Sequence, residues 1–326
     1  MSTFIIAEAG ANHNRDFEQA KALINVAVEA KASACKFQTY SSETLYSKNT
    51  PDFAGYTNIK KLIKDIELPR EWQKELKHYC DINNIEFMST PFDEKAVEEL
   101  VNIGVKRLKI SGFESTDFRF IEMVASSNLP LIISLGIGFK MEWIGRILKI
   151  TEKHGNDLSF LYCNNAYPTP IKDSGIGLIR SMSQNSDYYW GLSDHTESVL
   201  TPALAVVAGA SIIEKHFTLS KKLPGPDHPF ALEPEQLKEM TKHIRFAEDS
   251  LSKKSCDTLS GSELKFSQAM RSIVAKTKIQ KGETLTKSNI TTKRPFLKGN
   301  IPAEKFDSTL GQVSNKNYDK DDFICT

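Results

Sequence analysis

Short runs rich in β-branched and aromatic residues recur along the first 216 positions. Between them lie stretches whose apolar residues return every three or four positions. The runs predict strands at Phe4–Glu8, Ala34–Thr39, Glu86–Ser89, Arg107–Ile110, Leu131–Ser134, Leu158–Cys163, Tyr188–Ser193 and Ser211–His216. The intervening stretches predict helices at Phe17–Ala30, Glu71–Asn83, Asp93–Ile103, Phe118–Ala125 and Glu142–His154, with a last one at Glu235–Ala247. Asp93 suits a helix N-cap, Asn83-Asn84 a helix stop, and Pro234 a helix entry. Eight strands, most trailed by a helix, are what a closed (β/α)8 TIM barrel of about 250 residues requires. A doubly wound open sheet is the competing architecture, but Gly10-Ala-Asn-His-Asn after the first strand is no Gly-rich phosphate fingerprint.

The pattern changes after residue 248. Residues 1–248 read as the catalytic barrel and 249–270 as a linker, its first part (Asp249–Ser262) holding five serines. Residues 271–326 read as a small β-rich domain turning at Lys281-Gly282-Glu283. At about 55 residues such a domain stands near the lower limit for independent folding.

Forty-two Lys+Arg against forty-one Asp+Glu leave a net charge of +1 on 326 residues, so no global field exists for gripping nucleic acid or an anionic membrane. No apolar run is long enough to span a bilayer, and the N-terminus does not resemble a signal peptide. Five scattered cysteines fit reduced thiols, and the expected location is cytoplasmic.

Barrel chemistry sits at the C-terminal ends of strands. The polar residues there are Glu8, Lys36, Gln38, Ser89, Thr90, Lys109, Ser134, Asn165, Tyr167, Ser193, His195, Glu214 and His216, where ordinary packing would favour Val, Ile and Leu. His195 and His216 end the seventh and eighth strands, where two imidazoles could share one divalent metal and leave positions open. Two unrelated core or surface histidines remain the competing reading on spacing alone. Lys36 and Lys109, with Thr90, Ser134, Asn165 and Ser193, suit a ligand bearing phosphate or carboxylate. Glu8 suits a general base or a polyol acceptor, and the Pro224–Pro229 turn offers Asp227.

Seven segments in order carry a resemblance: Ile6-Ala-Glu-Ala-Gly-Ala-Asn-His13, Lys36-Phe-Gln-Thr39, Ser89-Thr-Pro-Phe92, Tyr167-Pro-Thr-Pro170, Gly191-Leu-Ser-Asp-His-Thr196, Glu214-Lys-His-Phe-Thr218 and Pro224-Gly-Pro-Asp227. Together they resemble the bacterial sialic acid synthase family, including its legionaminate, pseudaminate and spore-coat polysaccharide relatives. The tail, from Arg271-Ser-Ile-Val-Ala275 to Lys293-Arg-Pro295, looks like that family's antifreeze-like (SAF) domain. The resemblance implies condensation of phosphoenolpyruvate with an N-acylated mannosamine-type sugar to give a nine-carbon 2-keto sugar acid. It implies His195 and His216 as ligands for Mn2+, with Mg2+ or Co2+ as alternatives, and Glu8, Lys36 and Lys109 as catalytic groups. Lys36, Thr90, Lys109, Ser134, Asn165 and Ser193 would cradle phosphoenolpyruvate. Gln38, Glu114, Tyr167 and Asp227, with Glu8, would face the sugar or the reacting centre. Arg294 would reach into the other subunit of a domain-swapped homodimer, which would also keep so short a tail folded.

The chain departs from the sialic acid synthase pattern at Lys109-Ile-Ser-Gly-Phe-Glu114, where the usual serine has shifted and Phe113 adds bulk. Phe113-Glu114 and Ala166-Tyr167 look more like pseudaminate synthases, and Pro226–Pro234 more like the spore-coat and legionaminate relatives. A metal-dependent sugar aldolase or isomerase and a non-catalytic glycan-binding protein are the other functional readings.

Overall fold

A computed structural model describes residues 2–52, 55, 57–251 and 257–325. The chain forms two compact units, Met1–Ser252 and Lys253–Thr326.

The first unit is a (β/α)8 barrel. Its strands are β1 (Phe4–Gly10), β2 (Ala34–Thr39), β3 (Glu86–Pro91), β4 (Leu108–Ile110), β5 (Leu131–Leu135), β6 (Leu158–Cys163), β7 (Tyr189–Asp194) and β8 (Ile212–His216). They hydrogen-bond in the order β3-β2-β1-β8-β7-β6-β5-β4, and every pair in that order is parallel. Parallel strands are covered on both faces, which is why they read as apolar runs rather than alternating ones. Each expected strand is present with its ends shifted by at most two residues.

Two separate apolar groups result from side-chain alternation. Outward residues such as Ile5, Ala7, Cys35, Phe37 and Phe87 join the helices in the main core. Inward residues Ile6, Ala34, Met88, Ile132, Leu161 and Ile212 form a second cluster that plugs the barrel, with Phe4 packed against it. Two residues further along the same strands the inward positions become Glu8, Lys36, Thr90, Ser134, Cys163 and Glu214. The interior thus turns from hydrocarbon to charge within about 7 Å, the rise of two strand residues.

The expected helices appear as Phe17–Glu29, Gln73–Ile82, Glu94–Asn102, Phe118–Ala125, Met141–His154 and Pro234–Ser250. Asp93 caps its helix by accepting from the Ala96 N–H at 2.7 Å, and Asn84 takes the left-handed conformation (φ 57°) after Ile82. The segment Arg70–Trp72, expected in part as α-helix, is a 3-10 turn. Helices at Ile59–Ile66, Ile176–Gln184 and Thr201–Val207 have no counterpart in the sequence expectation.

Within the expected linker, residues 249 and 250 complete the long helix, and a turn at Gly261–Leu264 is closed by a Ser260/Glu263 capping box. Residues 252–256 lie outside the described residues. The second unit pairs β9 (Ser272–Ala275) with β10 (Ile290–Lys293) antiparallel. Its core is small: Ile273, Ala275, Ile279, Leu285, Ile290, Ile301, Tyr318 and Ile324.

Candidate active site

The charged layer lines a cavity of about 490 Å³ at the C-terminal end of the barrel. It gathers Glu8, Lys36, Gln38, Thr90, Lys109, Ser134, Asn165, Tyr167, Ser193, His195, His216 and Asp227 from eight different strand ends and loops. Ser89 turns to the other face and pairs with Thr39 at 2.7 Å. Glu114 does not line the cavity; its carboxylate accepts from the Ser111 hydroxyl. Arg294 follows β10 in the second unit and is exposed.

Lys36 stands between two carboxylates, 2.9 Å from Glu8 and 3.6 Å from Glu214, and donates to Thr90 Oγ1 at 3.0 Å. Lys109 lies 3.5 Å from Glu214 and donates to Ser134 Oγ at 2.7 Å. Ser193 donates to Glu214 at 3.1 Å, and Gln38 to Glu8 at 2.8 Å. Glu214 is the hub that the sequence reading left out of its site residues. Its position beside His216 was visible, but its partners come from β2, β4 and β7, and nothing local signals them.

Burial would push both carboxyls up. For Glu214 the ammonium groups of Lys109 and Lys36 outweigh it and hold the carboxyl below its usual range. Glu8 keeps less compensation and faces the charge of Glu214, so it rises to about 7. Lys36 is raised, because Glu214 and Glu8 outweigh its burial. Lys109, with one carboxylate close by, is lowered by burial. Cys163 also lines the cavity, but burial pushes its thiol up to about 11, so it is no thiolate nucleophile near neutrality.

The His195 and His216 rings face each other with centroids 5.4 Å apart, and Tyr167 packs on His195 at 4.3 Å. Burial lowers His195 to about 4 and His216 well below its ordinary value, so both rings are neutral at pH 7. The His195 Nδ1 lies 2.7 Å from the Asn164 carbonyl, which can only accept; the proton is therefore on Nδ1 and the lone pair on Nε2. His216 Nδ1 is buried without a hydrogen-bond partner, 3.8 Å from Asp227 Oδ2. Asp227, its side chain still 22% exposed, is raised to about 6, chiefly by burial and against the Ala11 N–H bond. Two unprotonated imidazoles, one with an orphaned nitrogen, fit a divalent cation. Among the described residues no group of three or more His, Cys, Asp or Glu is arranged to hold a metal, so further ligands would be substrate oxygens or water. Gly10 permits this corner: a Cβ there would lie 3.0 Å from Asp227 Oδ2 and 3.4 Å from the His216 ring, at φ +51°.

Comparison with known proteins adds the following. The NeuB family model matches residues 23–256 and the SAF domain model residues 270–324. The chain is 38% identical to the N,N'-diacetyllegionaminic acid synthase of Legionella pneumophila, over 90% of this chain and 86% of that protein. It is 33% identical to a pseudaminic acid synthase of Campylobacter jejuni, over 98% and 95%. Among solved structures, the N-acetylneuraminic acid synthetase of Leptospira borgpetersenii, in complex with citrate, aligns with a TM-score of 0.75 at 32% identity, covering 82% of this chain and 90% of that one.

Proposed function

We propose that this chain, which belongs to the NeuB family and ends in a SAF domain, condenses phosphoenolpyruvate with an N-acylated mannosamine-type sugar. The products are a nine-carbon 2-keto sugar acid and phosphate. The N-acetylneuraminate, legionaminate and pseudaminate versions share this reaction and differ in the acceptor. The observation that carries the reading is the charged rung set on the apolar plug. Two buried lysines bonded to Thr90 and Ser134 face two neutral imidazoles across one cavity.

Lys36 and Lys109 are held by Glu214 until an anion arrives; phosphate and carboxylate oxygens can then take over their donors, with Thr90, Ser134, Asn165 and Ser193 completing the cradle. This fixes the enol C3 of phosphoenolpyruvate opposite the aldehyde carbon of the open-chain sugar. The enol electron pair forms the new C–C bond, the aldehyde oxygen gains a proton, and C2 becomes electron-poor. Water adds at C2 and the C–O bond to phosphate breaks. A carboxyl near 7 is matched to taking that water's proton, which assigns Glu8 as general base. A divalent cation at His195 and His216, Mn2+ in this reading, supplies Lewis-acid polarisation of the aldehyde oxygen when bound. Among the described residues no helix is long and apolar enough to cross a membrane. The cytoplasmic location belongs to the same proposal, supported by the free thiols of Cys35, Cys80, Cys163 and Cys325. So does the domain-swapped homodimer, with Arg294 serving the partner's cavity.

The test is incubation with Mn2+, phosphoenolpyruvate and a panel of acylamino hexoses, followed by phosphate release and product mass. Acceptor-dependent phosphate with a product three carbons longer than the sugar is expected. A product formed without phosphate release would instead indicate an aldolase, and no product with any acceptor would overturn the synthase reading.

A further inference from the structure

Two segments distant in the chain, the loop Gly10–Arg15 after β1 and the turn Pro224–Pro229 after β8, are joined by one buried imidazole. His228 is 0% exposed. Its Nε2 lies 3.2 Å from Asn14 Oδ1 and its Nδ1 2.6 Å from Thr218 Oγ1. The Asn14 oxygen can only accept, so the proton is on Nε2 and the Thr218 hydroxyl donates to Nδ1. Burial lowers this imidazole below its ordinary value, which keeps it neutral at pH 7. Gly225 leaves room for the pair. A Cβ there, at φ +143°, would come within 2.9 Å of the His228 ring and 3.3 Å of Asn14 Oδ1.

The preceding residue, Asp227, lines the cavity 3.8 Å from His216 Nδ1 and accepts from the Ala11 N–H. The segment carrying both side chains has little else to hold it. Leu232 returns to β8 through the His216 carbonyl at 3.0 Å. Among the described residues, no backbone–backbone hydrogen bond ties residues 224–231 to another element. Pro224, Pro226 and Pro229 have no N–H to offer. Phe230 packs on the His216 ring at 5.3 Å, an apolar contact that sets no hydrogen-bond direction. Two polar anchors remain, Asp227 to Ala11 and His228 to Asn14, and both end on the loop after β1.

We propose that His228 is a positioning residue: by clasping Asn14 and Thr218 it fixes the Asp227 carboxylate at the cavity wall beside His216. The use of that carboxylate rests on the synthase reading, in which Asp227 accepts from hydroxyls of the acceptor sugar. His228 does not itself line the cavity. Its hydrogen bonds share no residue with those of Lys36 and Lys109, which would hold phosphoenolpyruvate. Loss of the clasp should therefore fall on the sugar, and a displacement of about 1 Å can cost about 10²-fold in rate.

The experiment uses the full-length protein with Mn2+, phosphoenolpyruvate and the best acylamino hexose of the panel, read by phosphate release. His228→Leu keeps bulk and removes both hydrogen bonds. It should lower kcat/KM for the sugar by about 10²-fold and leave KM for phosphoenolpyruvate unchanged. His228→Gln, which keeps a donor for Asn14, should recover most of that loss. Asn14→Gly tolerates the left-handed backbone (φ 49°) and deletes the acceptor from the other loop. It should act in the same direction even where His228→Leu does not fold. Asp227→Ala leaves nothing to position, so in that background His228→Leu should cost nothing further. Additive losses, or equal effects on both substrates, would leave His228 a folding role and overturn the proposal. Hydrogen exchange reads the clasp without turnover. In His228→Leu and Asn14→Gly, peptides spanning residues 9–13 should exchange faster, because Ala11 loses its acceptor, while those spanning β5 stay protected. Unchanged exchange at Ala11 in a folded variant overturns the clasp. No phosphate release from wild type with any acceptor overturns the synthase reading, and Ala11 exchange still decides the clasp.

Discussion

Glu8 separates binding from chemistry at the scale of one residue. Glu8→Gln is isosteric and keeps an acceptor for Gln38, but it cannot take a proton. The variant should fold, bind Mn2+ and phosphoenolpyruvate with a normal thermal shift, and lose product formation by at least about 10²-fold; near-wild-type phosphate release would acquit Glu8. His13 gives a stability prediction of known sign. It is 1% exposed, accepts from the Arg15 N–H at 3.0 Å, and is lowered from 6.5 to about 4 by burial and then by Arg15. The unfolded chain binds the extra proton between those values, so the contribution is fully present above pH 6.5 and is lost as pH falls toward 4. It amounts to about 3 kcal/mol. Urea unfolding at pH 7 and pH 5 should show wild type losing more stability than His13→Gln, and equal losses would contradict the assignment. His195 and Lys36 were readable at this scale because charge at the end of an apolar strand is conspicuous. Glu214 was visible too, but its three-way pairing with Lys36, Lys109 and Ser193 exists only once β2, β4 and β7 are brought round one barrel.

Among the elements, β7 and β8 carry more than the two imidazoles. On their outward face Asp194 and Lys215 sit in register and pair at 2.7 Å with both side chains 1% exposed. Thr196 adds its hydroxyl and its backbone N–H to Asp194. This bond ties the two strand ends that present His195 and His216. Lys215→Met strands a buried carboxylate and should cost about 3–5 kcal/mol. Asp194→Asn with Lys215→Met removes both charges, so stability should largely return while Mn2+ affinity, read by the metal-induced thermal shift, stays weakened. Full recovery of both would limit the pair to a folding role. Strands were legible because parallel strands covered on both faces begin as β-branched and apolar runs. The helix Thr201–Val207 was not, because its sequence TPALAVV is apolar after Thr201 and has no period to detect. The helix Ile59–Ile66 did carry a clear i, i+3, i+4, i+7 signal, and that signal could have found Ile59, Leu62, Ile63 and Ile66 on the cavity wall.

For the whole molecule, the proposed swap makes a prediction that neither unit makes alone. Arg294→Ala and Glu8→Gln should each inactivate both sites of their own homodimer. If Arg294 serves the partner's cavity, co-refolding equal amounts of the two variants restores one intact site in half of the dimers, about a quarter of wild-type activity. If Arg294 acts within its own chain, a mixed dimer has no intact site and nothing is recovered. Two units were foreseeable from the break in composition near residue 250, whereas an exchange between chains leaves no local mark on either. The apolar plug has a consequence for traffic. Ile6, Ala34, Met88, Ile132, Leu161 and Ile212 shut one end of the cylinder, and the lysines stand on that floor. Under the proposed reaction, a donor held by those lysines would lie beneath the sugar and would have to be seated before the sugar closes over it.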